Sequence, residues 1–150
     1  MKIFMSLRIK FKIVTPGRVV CENEIEQATL PVSDGEVTIL PNHRSYIASL
    51  KPGEIRIKVE GKEILLVTSG GFIEFNKNTL VVLADTAEHA SEIDIKRAEE
   101  TARRRAEELK KEKVTMNEME YARVAASIEK ELVRVRVAKK HRTRHNVQID

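Results

Sequence analysis

Aromatic residues and cysteine are scarce in this 150-residue chain. It has no Trp, only 4% of its residues are Phe, Trp or Tyr, and Cys21 is its single cysteine. So few rings argue against a surface on which bases or sugars stack, and they leave the core to Val, Ile, Leu and Ala. A lone cysteine excludes an intrachain disulfide, and no motif around it would activate the thiol. We therefore interpret Cys21 as a strand residue in a reducing cytosol.

Long hydrophobic runs are also missing. Arg8, Lys10 and Lys12 interrupt the apolar residues near the N-terminus, so the pattern predicts no secretion signal. No window approaches the roughly 18 apolar residues that a membrane span requires. We expect a soluble, cytoplasmic protein, which leaves open that it binds a membrane-embedded partner.

Glycine and proline are absent from the second half of the chain, and charge divides near the same place. Residues 1–88 hold 11 Lys/Arg and 11 Asp/Glu, whereas residues 89–150 hold 16 and 12. Because 16 − 12 equals 27 − 23, the second part carries the whole net charge of +4. This division predicts a neutral β domain at residues 1–88, a basic helical arm at 89–140 and a basic, disordered tail at 141–150.

Residues 7–84 alternate between apolar and polar positions with the period of β-strands. The alternation predicts eight strands, at residues 7–13, 19–22, 25–30, 36–40, 55–59, 63–67, 72–75 and 79–84. Turn residues separate these segments, and no helical segment lies between them. The expected fold is an antiparallel β-sandwich or barrel of about eight to ten short strands, followed by a C-terminal α-helical hairpin.

Three of the four prolines, Pro31, Pro41 and Pro52, lie close together in the sequence. Proline removes a hydrogen-bond donor from a strand, so it is found at strand ends, edges or turns. We expect these residues to shape the loops at one end of the sandwich, which would make that end a surface for binding another protein.

The same region begins a series of motifs: Leu30-Pro31, Gly35, Leu40-Pro41, His43, Leu50-Lys51-Pro52-Gly53, Gly70-Gly71-Phe72 and Val81–Glu88. In this order they resemble the epsilon subunit of the F-type ATP synthase, which forms the foot of the central stalk. The similarity runs collinearly from about Leu7 to Lys140. Val32, Thr38 and Asn42 stand where that family usually has glycine.

The resemblance implies a non-catalytic rotor subunit that couples ion-driven rotation of the membrane c-ring to ATP synthesis in the catalytic head. Its partners would be the γ subunit, the c-ring and the acidic loops of the catalytic β subunits, on the cytoplasmic face of the bacterial cell membrane. By the same resemblance, the sandwich would contact γ and the c-ring through loop residues: Pro31, Asp34, Gly35, Leu40, Pro41, His43, Gly70 and Phe72.

Two helices are predicted after residue 90, joined by a turn near residues 113–116. Ser91 with Asp94 indicates a capping box at the first helix, and either Thr115 with Glu118 or Asn117 with Glu120 begins the second. Apolar residues recur at spacings of three and four: Ile95, Ala98, Ala102, Ala106 and Leu109, then Tyr121, Ala125, Ile128, Leu132 and Val135. Because an Ala-rich stripe buries little area, we expect a weakly held hairpin that can open.

The cations of the arm have two interpretations. Between Arg134 and His145 there are six Lys/Arg, two His and no acid, which is typical of a solvated tail or of a surface that docks on an acidic partner. The resemblance implies that the hairpin can extend along the stalk, where its basic residues meet acidic loops of the β subunits and block ATP hydrolysis. The residues that would serve here are Arg103, Arg104, Arg105, Arg123, Arg134 and Arg136.

The start of the first helix resembles the Ile/Leu-Asp-x-x-Arg-Ala motif with which some bacterial members of the family bind ATP as a regulatory ligand. The matching residues are Ile93, Asp94, Arg97 and Ala98. On a helix, Arg97 and Arg104 would lie on one face roughly 10 Å apart, a spacing that suits a polyphosphate. The family's other contact positions fall on Glu88, Arg104, Arg134 and Lys130, the last in place of an arginine. Alternatively, Asp94 only caps the helix and Arg97 is solvated. Neither interpretation predicts hydrolysis or another cofactor.

Other functions have weaker support. His43 with Asp34 lacks a nucleophile and a second carboxylate, and the His and Cys residues show no metal-ligand spacing, so we expect neither catalysis nor a metal site. A general protein–protein adaptor is the second interpretation. A nucleic-acid binder is a distant third, because acids are interleaved along both helices and no recognised binding module is present.

Overall fold

The computed structural model describes residues 7–147 and divides the chain into two compact units between His89 and Ala90. The first unit contains the strands: β1 (Ile9–Val14), β2 (Val19–Ile25), β3 (Gln27–Val32), β4 (Gly35–Ile39), β5 (Tyr46–Leu50), β6 (Gly53–Val59), β7 (Lys62–Thr68), β8 (Gly71–Asn76), β9 (Thr79–Ala84) and β10 (Ala87–His89). The second contains a 3₁₀ turn (Ala90–Glu92), α1 (Ile95–Glu112) and α2 (Glu118–Val147). The predicted β-sandwich followed by two helices is confirmed.

The strands form two layers. Their hydrogen-bonded order is β10-β7-β6-β3-β5-β8-β9-β1-β2, with β4 also paired to β3. Only Val32 and Leu50 pair where β3 meets β5, so the sheet folds over at this junction. One layer contains β4, β3, β6, β7 and β10, and the other contains β5, β8, β9, β1 and β2. All neighbours are antiparallel except β1 and β9.

The core lies between these layers and is built by alternation. In β1, Ile9, Phe11 and Ile13 are buried while Lys10 between them is exposed. Equivalent inward positions come from both layers, among them Leu30, Ile57, Ile73, Phe75, Leu80 and Val82. Aliphatic side chains supply most of this core, as the scarcity of aromatic residues predicts. Leu7, predicted as the start of the first strand, is exposed and precedes β1.

Two strands escaped prediction from the sequence. In β5 one residue breaks the alternation, because Ile47 is apolar but faces outward and is 74% exposed. β10 has only three residues, too few for a period to show. An apolar residue that faces outward hides a strand from any reading based on alternation.

The N-caps of the two helices differ in how well they match the predictions. Asp94 is the N-cap of α1, and its Oδ1 accepts a hydrogen bond from the Arg97 backbone N–H at 3.1 Å. The expected capping box at Ser91 is wrong, because Ser91 lies in the 3₁₀ turn. At α2, Asn117 Oδ1 accepts from the Glu120 N–H at 2.9 Å, and Glu120 Oε2 accepts from the Asn117 N–H at 3.3 Å. This reciprocal pair confirms the Asn117–Glu120 alternative.

The buried face of α2 differs from the predicted stripe. Leu132 is 55% exposed and Tyr121 is also exposed, whereas Glu131, Val135 and Ala138 are buried at spacings of four and three. The prediction ranked positions by hydrophobicity, so it chose Leu132 over its neighbour Glu131. The carboxylate of Glu131 is buried because two arginines accompany it, a pairing that no hydrophobicity pattern contains.

The expected disordered tail is also wrong in its first part. Residues 141–147 continue α2, and residues 148–150 lie outside the described range. No glycine or proline interrupts this segment, and cationic side chains near a helix C-terminus interact favourably with the helix dipole. The segment Val133–Val137 alternates like a strand but falls within the predicted helical arm, and it is helical.

Substituting Gly71 tests the close approach of β8 to β9. Gly71 has φ +143, and an added Cβ would overlap the backbone of Leu83 and Ala84. We expect Gly71→Ala to lower the free energy of unfolding by more than about 4 kcal/mol, among the most severe single substitutions. Urea denaturation followed by the β-sheet circular dichroism signal measures the loss.

Two other glycines are the controls. Gly61 has φ +77 but open space around it, so Gly61→Ala should lose about 1–2 kcal/mol through backbone strain alone. Gly17 has neither constraint, so Gly17→Ala should change stability little. Equal losses at Gly61 and Gly71 would contradict this account of the packing.

Candidate functional site

The residues predicted to contact other subunits lie at opposite ends of the sandwich, not at one end. Asp34 precedes β4 and Leu40 follows it, so the strand separates the two residues by roughly 20 Å. Proline spacing in the sequence misled the prediction, because a strand of five residues carries the chain from one end to the other. The first end contains Pro31, Asp34, Gly35, Gly70 and Phe72, and the second contains Leu40, Pro41 and His43.

The first end is held together by Lys51. Its backbone N–H donates to the Pro31 carbonyl at 3.0 Å, and its Nζ donates to the Ser33 carbonyl at 2.9 Å. Gly70, at φ +121, is buried nearby, and an added Cβ would lie 3.2 Å from the Leu50 carbonyl oxygen. Asp34 remains exposed at the tip of the β3–β4 turn. These contacts give the first end a fixed, polar rim.

The second end is fixed by paired side chains. The Asn42 N–H donates to Asn78 Oδ1 at 2.6 Å, and Asn78 Nδ2 donates back to Asn42 Oδ1 at 3.0 Å. Asn42 has φ +65, which explains why glycine is usual there and why Asn, the best non-glycine residue for this conformation, is tolerated. Leu40 is exposed beside this loop.

His43 has a structural position at the second end. Its ring meets Tyr46 and Phe75 edge-on, with centroids 6.0 and 5.8 Å away. Nδ1 lies 2.7 Å from the Arg44 carbonyl oxygen, which can only accept, so Nδ1 is the donor. Asp34 lies at the other end of β4, so the two do not form an acid–base pair.

A band of apolar side chains crosses the outer face of one layer. Strand register aligns Val19, Val14, Leu83 and Phe72 on four neighbouring strands, and Ile47 of β5 lies on the same face. Leu83 is 57% exposed and Phe72 is 60% exposed. We call these five residues the apolar band. Exposed apolar side chains gathered on one face make this surface a candidate for protein interaction.

The resemblance anticipated only Phe72 of the apolar band. The other four were missed, because sequence alone does not show which face of a strand is outside. One signal was available in the sequence. Residues 80–84 are apolar at both alternating sets of positions, which indicates a strand with apolar side chains on both faces.

The outer face of the other layer is polar by contrast. Arg56 Nη2 contacts Glu36 Oε2 at 2.8 Å, and its Nη1 contacts Glu54 Oε1 at 3.0 Å. The hydrogen bond with Glu36 is the largest influence and raises the already high pKa of Arg56. Thr29 and Thr38 also share a hydrogen bond across β3 and β4. This face satisfies its own polar groups, so the apolar band is the better candidate for docking.

The predicted nucleotide residues lie on three different elements and on the segment before α1. Arg97 and Arg104 line one shallow surface depression on α1, as their spacing predicts, together with Glu100, Thr101, Arg103 and Glu107. The two glutamates offset part of the positive charge there. Ile93 and Ala98 are buried, and Asp94 caps the helix. Lys130 and Arg134 belong to α2 and Glu88 to β10 in the other unit. ATP binding stays a prediction.

The arginines of the arm fall into two groups. Arg103, Arg104, Arg123 and Arg136 are exposed. Arg105 and Arg134 are half-buried and contact Glu131, at 3.5 and 2.6 Å. At the solvent-facing side of the hairpin, Lys139 also pairs with Glu99 at 2.7 Å. Exposure thus distinguishes arginines that are accessible in this hairpin from those engaged within it.

Cys21 is buried, and this burial raises the pKa of its thiol despite a hydrogen bond from Asn23 Nδ2 at 3.2 Å. A raised pKa disfavours the nucleophilic thiolate, which supports the interpretation as a strand residue. Within residues 7–147, no three His, Cys, Asp or Glu side chains come together as a metal site would need. No helix in the same range is long and apolar enough to cross a membrane.

Comparison with known proteins identifies the family. Residues 8–90 match the family described as "ATP synthase, Delta/Epsilon chain, beta-sandwich domain". The ATP synthase epsilon chain of Dehalococcoides mccartyi is 42% identical over 135 residues, covering 90% of this chain and 95% of that protein. This chain belongs to the ATP synthase epsilon-chain family. The epsilon chain of Desulforamulus reducens is 38% identical over 134 residues, covering 89% and 99%.

The epsilon-chain fold extends to solved structures of low sequence identity. A chain of the Euglena gracilis mitochondrial ATP synthase, from a structure containing OSCP, F1 and the c-ring, superposes with a TM-score of 0.69 at 22% identity. That match covers 90% of this chain and 82% of the other. A chain from the central stalk and c-ring of the Tetrahymena thermophila enzyme gives 0.54 at 17% identity. These likenesses show that the fold is preserved.

Two histidines near the end of α2 generate a pH prediction. His141 and His145 lie one turn apart with ring centroids separated by 4.5 Å. Burial is the largest cause that lowers the pKa of His141 below 6.5, followed by the positive charges of His145 and Arg142. The folded helix therefore resists protonation of His141 more than the unfolded chain does. Its contribution to stability is present above pH 6.5 and is lost as the pH falls through the lowered pKa.

We expect amide hydrogen exchange in residues 139–147 to be faster at about pH 5.5 than at about pH 7.5, after correction for intrinsic rates. His141→Gln should remove much of this difference because the titrating group is gone. His89→Gln, in the sandwich unit, is the matched control and should leave it unchanged. The same pH dependence in His141→Gln as in the parent chain would contradict the prediction.

Proposed function

We propose that this chain is the epsilon subunit of a bacterial F-type ATP synthase, a non-catalytic part of the rotor's central stalk. It couples ion-driven rotation of the c-ring to ATP synthesis in the catalytic head. The observation that carries the proposal is identity of 42% with an ATP synthase epsilon chain over 90% of this chain and 95% of that one. Agreement over nearly both full lengths supports the same role for both units, not for the sandwich alone.

The apolar band is the proposed γ-docking surface. A stalk subunit stays bound during rotation, and permanent interfaces are more apolar than transient ones. The band supplies Phe72 and Leu83 as adjacent anchors on β8 and β9, within a rigid sheet. Its neighbours Lys12, Glu22 and Glu74 on the same face supply a polar rim.

The loops at the two ends of the sandwich are the proposed contacts with two neighbours, the c-ring and γ. Asp34 and Gly35 at the first end, and Leu40, Pro41 and His43 at the second, are held in fixed loops by the hydrogen bonds described above. Opposite ends of one strand serve different neighbours more readily than a single one. Docking on this complex would hold the chain at the cytoplasmic face of the cell membrane.

The helical hairpin is the proposed brake on ATP hydrolysis. Arg103, Arg104, Arg123 and Arg136 are exposed on its helices, where acidic loops of the β subunits can meet them. Exposed charge pairs act over short range and weaken with salt, so this inhibition should be salt-sensitive.

Paired substitutions in the apolar band test the docking surface. In Phe72→Ser/Leu83→Ser, the loss of two adjacent anchors should weaken binding to γ by at least about 30-fold, because truncating a central anchor typically costs about 2 kcal/mol or more. Binding is measured by titrating the full chain into the reconstituted catalytic head with γ. The folded sheet is checked by circular dichroism.

Val114→Ser is the control for docking, because Val114 is 95% exposed and lies between the helices. It should bind γ as the parent chain does. Unchanged affinity in the paired variant would exclude the apolar band as the γ surface. Failure of the parent chain itself to bind γ would favour the protein–protein adaptor interpretation over the rotor subunit.

We further propose ATP as a regulatory ligand of α1, bound through Arg97 and Arg104. Support comes from their shared depression, and the nearby Glu100 and Glu107 predict weak, salt-sensitive affinity. Calorimetric titration with ATP should give heat that Arg104→Ala reduces, with affinity at least about tenfold lower through loss of a charge-assisted contact. Arg123→Ala, outside the depression, should bind normally. Equal affinity in both variants would contradict the assignment.

A further inference from the structure

We propose that Glu131 is an internal latch: its carboxylate holds α2 against Arg105 of α1 and keeps that arginine from other anions while the hairpin is closed. The latch itself follows from the hairpin alone. Its consequence for ATP hydrolysis rests on the proposed function, in which acidic loops meet arginines of the arm; Arg105 would join the exposed arginines only when the hairpin opens.

The position of Glu131 is unusual for a charged residue. It is 6% exposed, and among residues 7–147 it is the only charged side chain classed with the buried core. Oε2 accepts from Arg134 Nη1 at 2.6 Å on the same helix. Oε1 faces Arg105 Nη1 at 3.5 Å across the contact between α1 and α2, which we call the seam. Arg105 Nη1 also lies 3.4 Å from the Ser127 carbonyl oxygen, one turn before Glu131. A buried carboxylate therefore joins the two helices at mid-seam.

The rest of the seam buries little apolar area, so this contact contributes more to closure of the hairpin. On α1 the buried positions are Ile95, Ala98 and Ala102, and two of these three are alanines that bury little apolar area. A buried charge whose partner is removed is strongly destabilising, because desolvation is no longer offset. Separating the helices either exposes Glu131 to water or leaves it without Arg105. Closure of the hairpin is thus unusually sensitive to one carboxylate.

Opening the hairpin affects the two arginines differently. Arg134 is three residues from Glu131 on the same helix and moves with it. Arg105 is on α1 and separates from it. An acidic partner that binds Arg105 must displace Glu131, so partner binding and hairpin opening are thermodynamically coupled. Glu131 therefore competes with the acidic partner for Arg105.

The latch is tested first on the full isolated chain by distance measurements between spin labels. Labels at Glu107→Cys on α1 and Glu129→Cys on α2, both exposed, report the helix separation, with Cys21→Ala removing the native thiol. We expect one short distance in the parent chain. Glu131→Gln should add a longer, open population, because a neutral amide does not compensate the positive charges of Arg105 and Arg134.

Arg105→Gln is the second variant, at a half-buried position where loss of folding is less of a risk. It should also increase the open population, and the double variant should exceed neither single variant by much, since all three lack the same contact. Glu99→Gln removes only the exposed ion pair with Lys139 and should leave the distances unchanged. Distributions in Glu131→Gln and Arg105→Gln that match the parent chain would overturn the latch, and so would equal opening in Glu99→Gln.

Competition is tested on the same labelled chain with a poly-glutamate peptide as the probe. The peptide should open Glu131→Gln at a lower concentration than the parent chain. It should increase the open population of Arg105→Gln less than that of the parent chain, because this variant lacks the arginine for which the peptide competes. Equal midpoints in all three chains would overturn the competition. In the reconstituted head, Glu131→Gln should inhibit hydrolysis more strongly. Altered distances without altered hydrolysis would support the latch and count against the proposed brake, so the two ideas fail separately.

Discussion

Burial of apolar side chains between two layers of sheet is the constraint on which the rest of the molecule depends. Ile9, Phe11 and Ile13 of β1 fill one side of a strand whose other residues face water. The inner face satisfies the hydrophobic requirement, so the outer face is free to carry other chemistry. Phe72 and Leu83 are presented on rigid strands for that reason, so the proposed docking on them would require no prior ordering of the chain.

The two units use different physics for different tasks. The sandwich is stabilised by a large apolar core and by strand pairs that connect all ten strands, so it suits permanent docking. The hairpin pairs an alanine-rich helix with a helix that buries a carboxylate. Such a seam depends on charge compensation as much as on apolar area, and a competing anion can perturb it. A rigid platform and a seam that can open match the proposed roles of anchor and brake.

Sequence patterns predicted the elements well where one face is wet and the other dry. β1 and the Asn117–Glu120 cap followed from local rules, because alternation and capping involve only neighbours along the chain. They failed where a residue has the opposite polarity to its surroundings. Ile47 faces outward and concealed β5, while buried Glu131 displaced Leu132 from the seam. Glu131 is placed by Arg105, a partner distant in sequence, and Ile47 lies on the outer face for which docking is proposed.

The sequence by itself determined the family, the β-then-α order and the charge of the arm, because motifs, period and composition are all local properties. Tertiary structure alone decided that the proline-bearing loops lie at opposite ends, that five separated residues form the apolar band, and that Arg105 is occupied while Arg103 is exposed. Strand pairing and helix rotation decide these matters. Both depend on which distant segments pack together and exclude water, and this packing is a property of the whole folded chain.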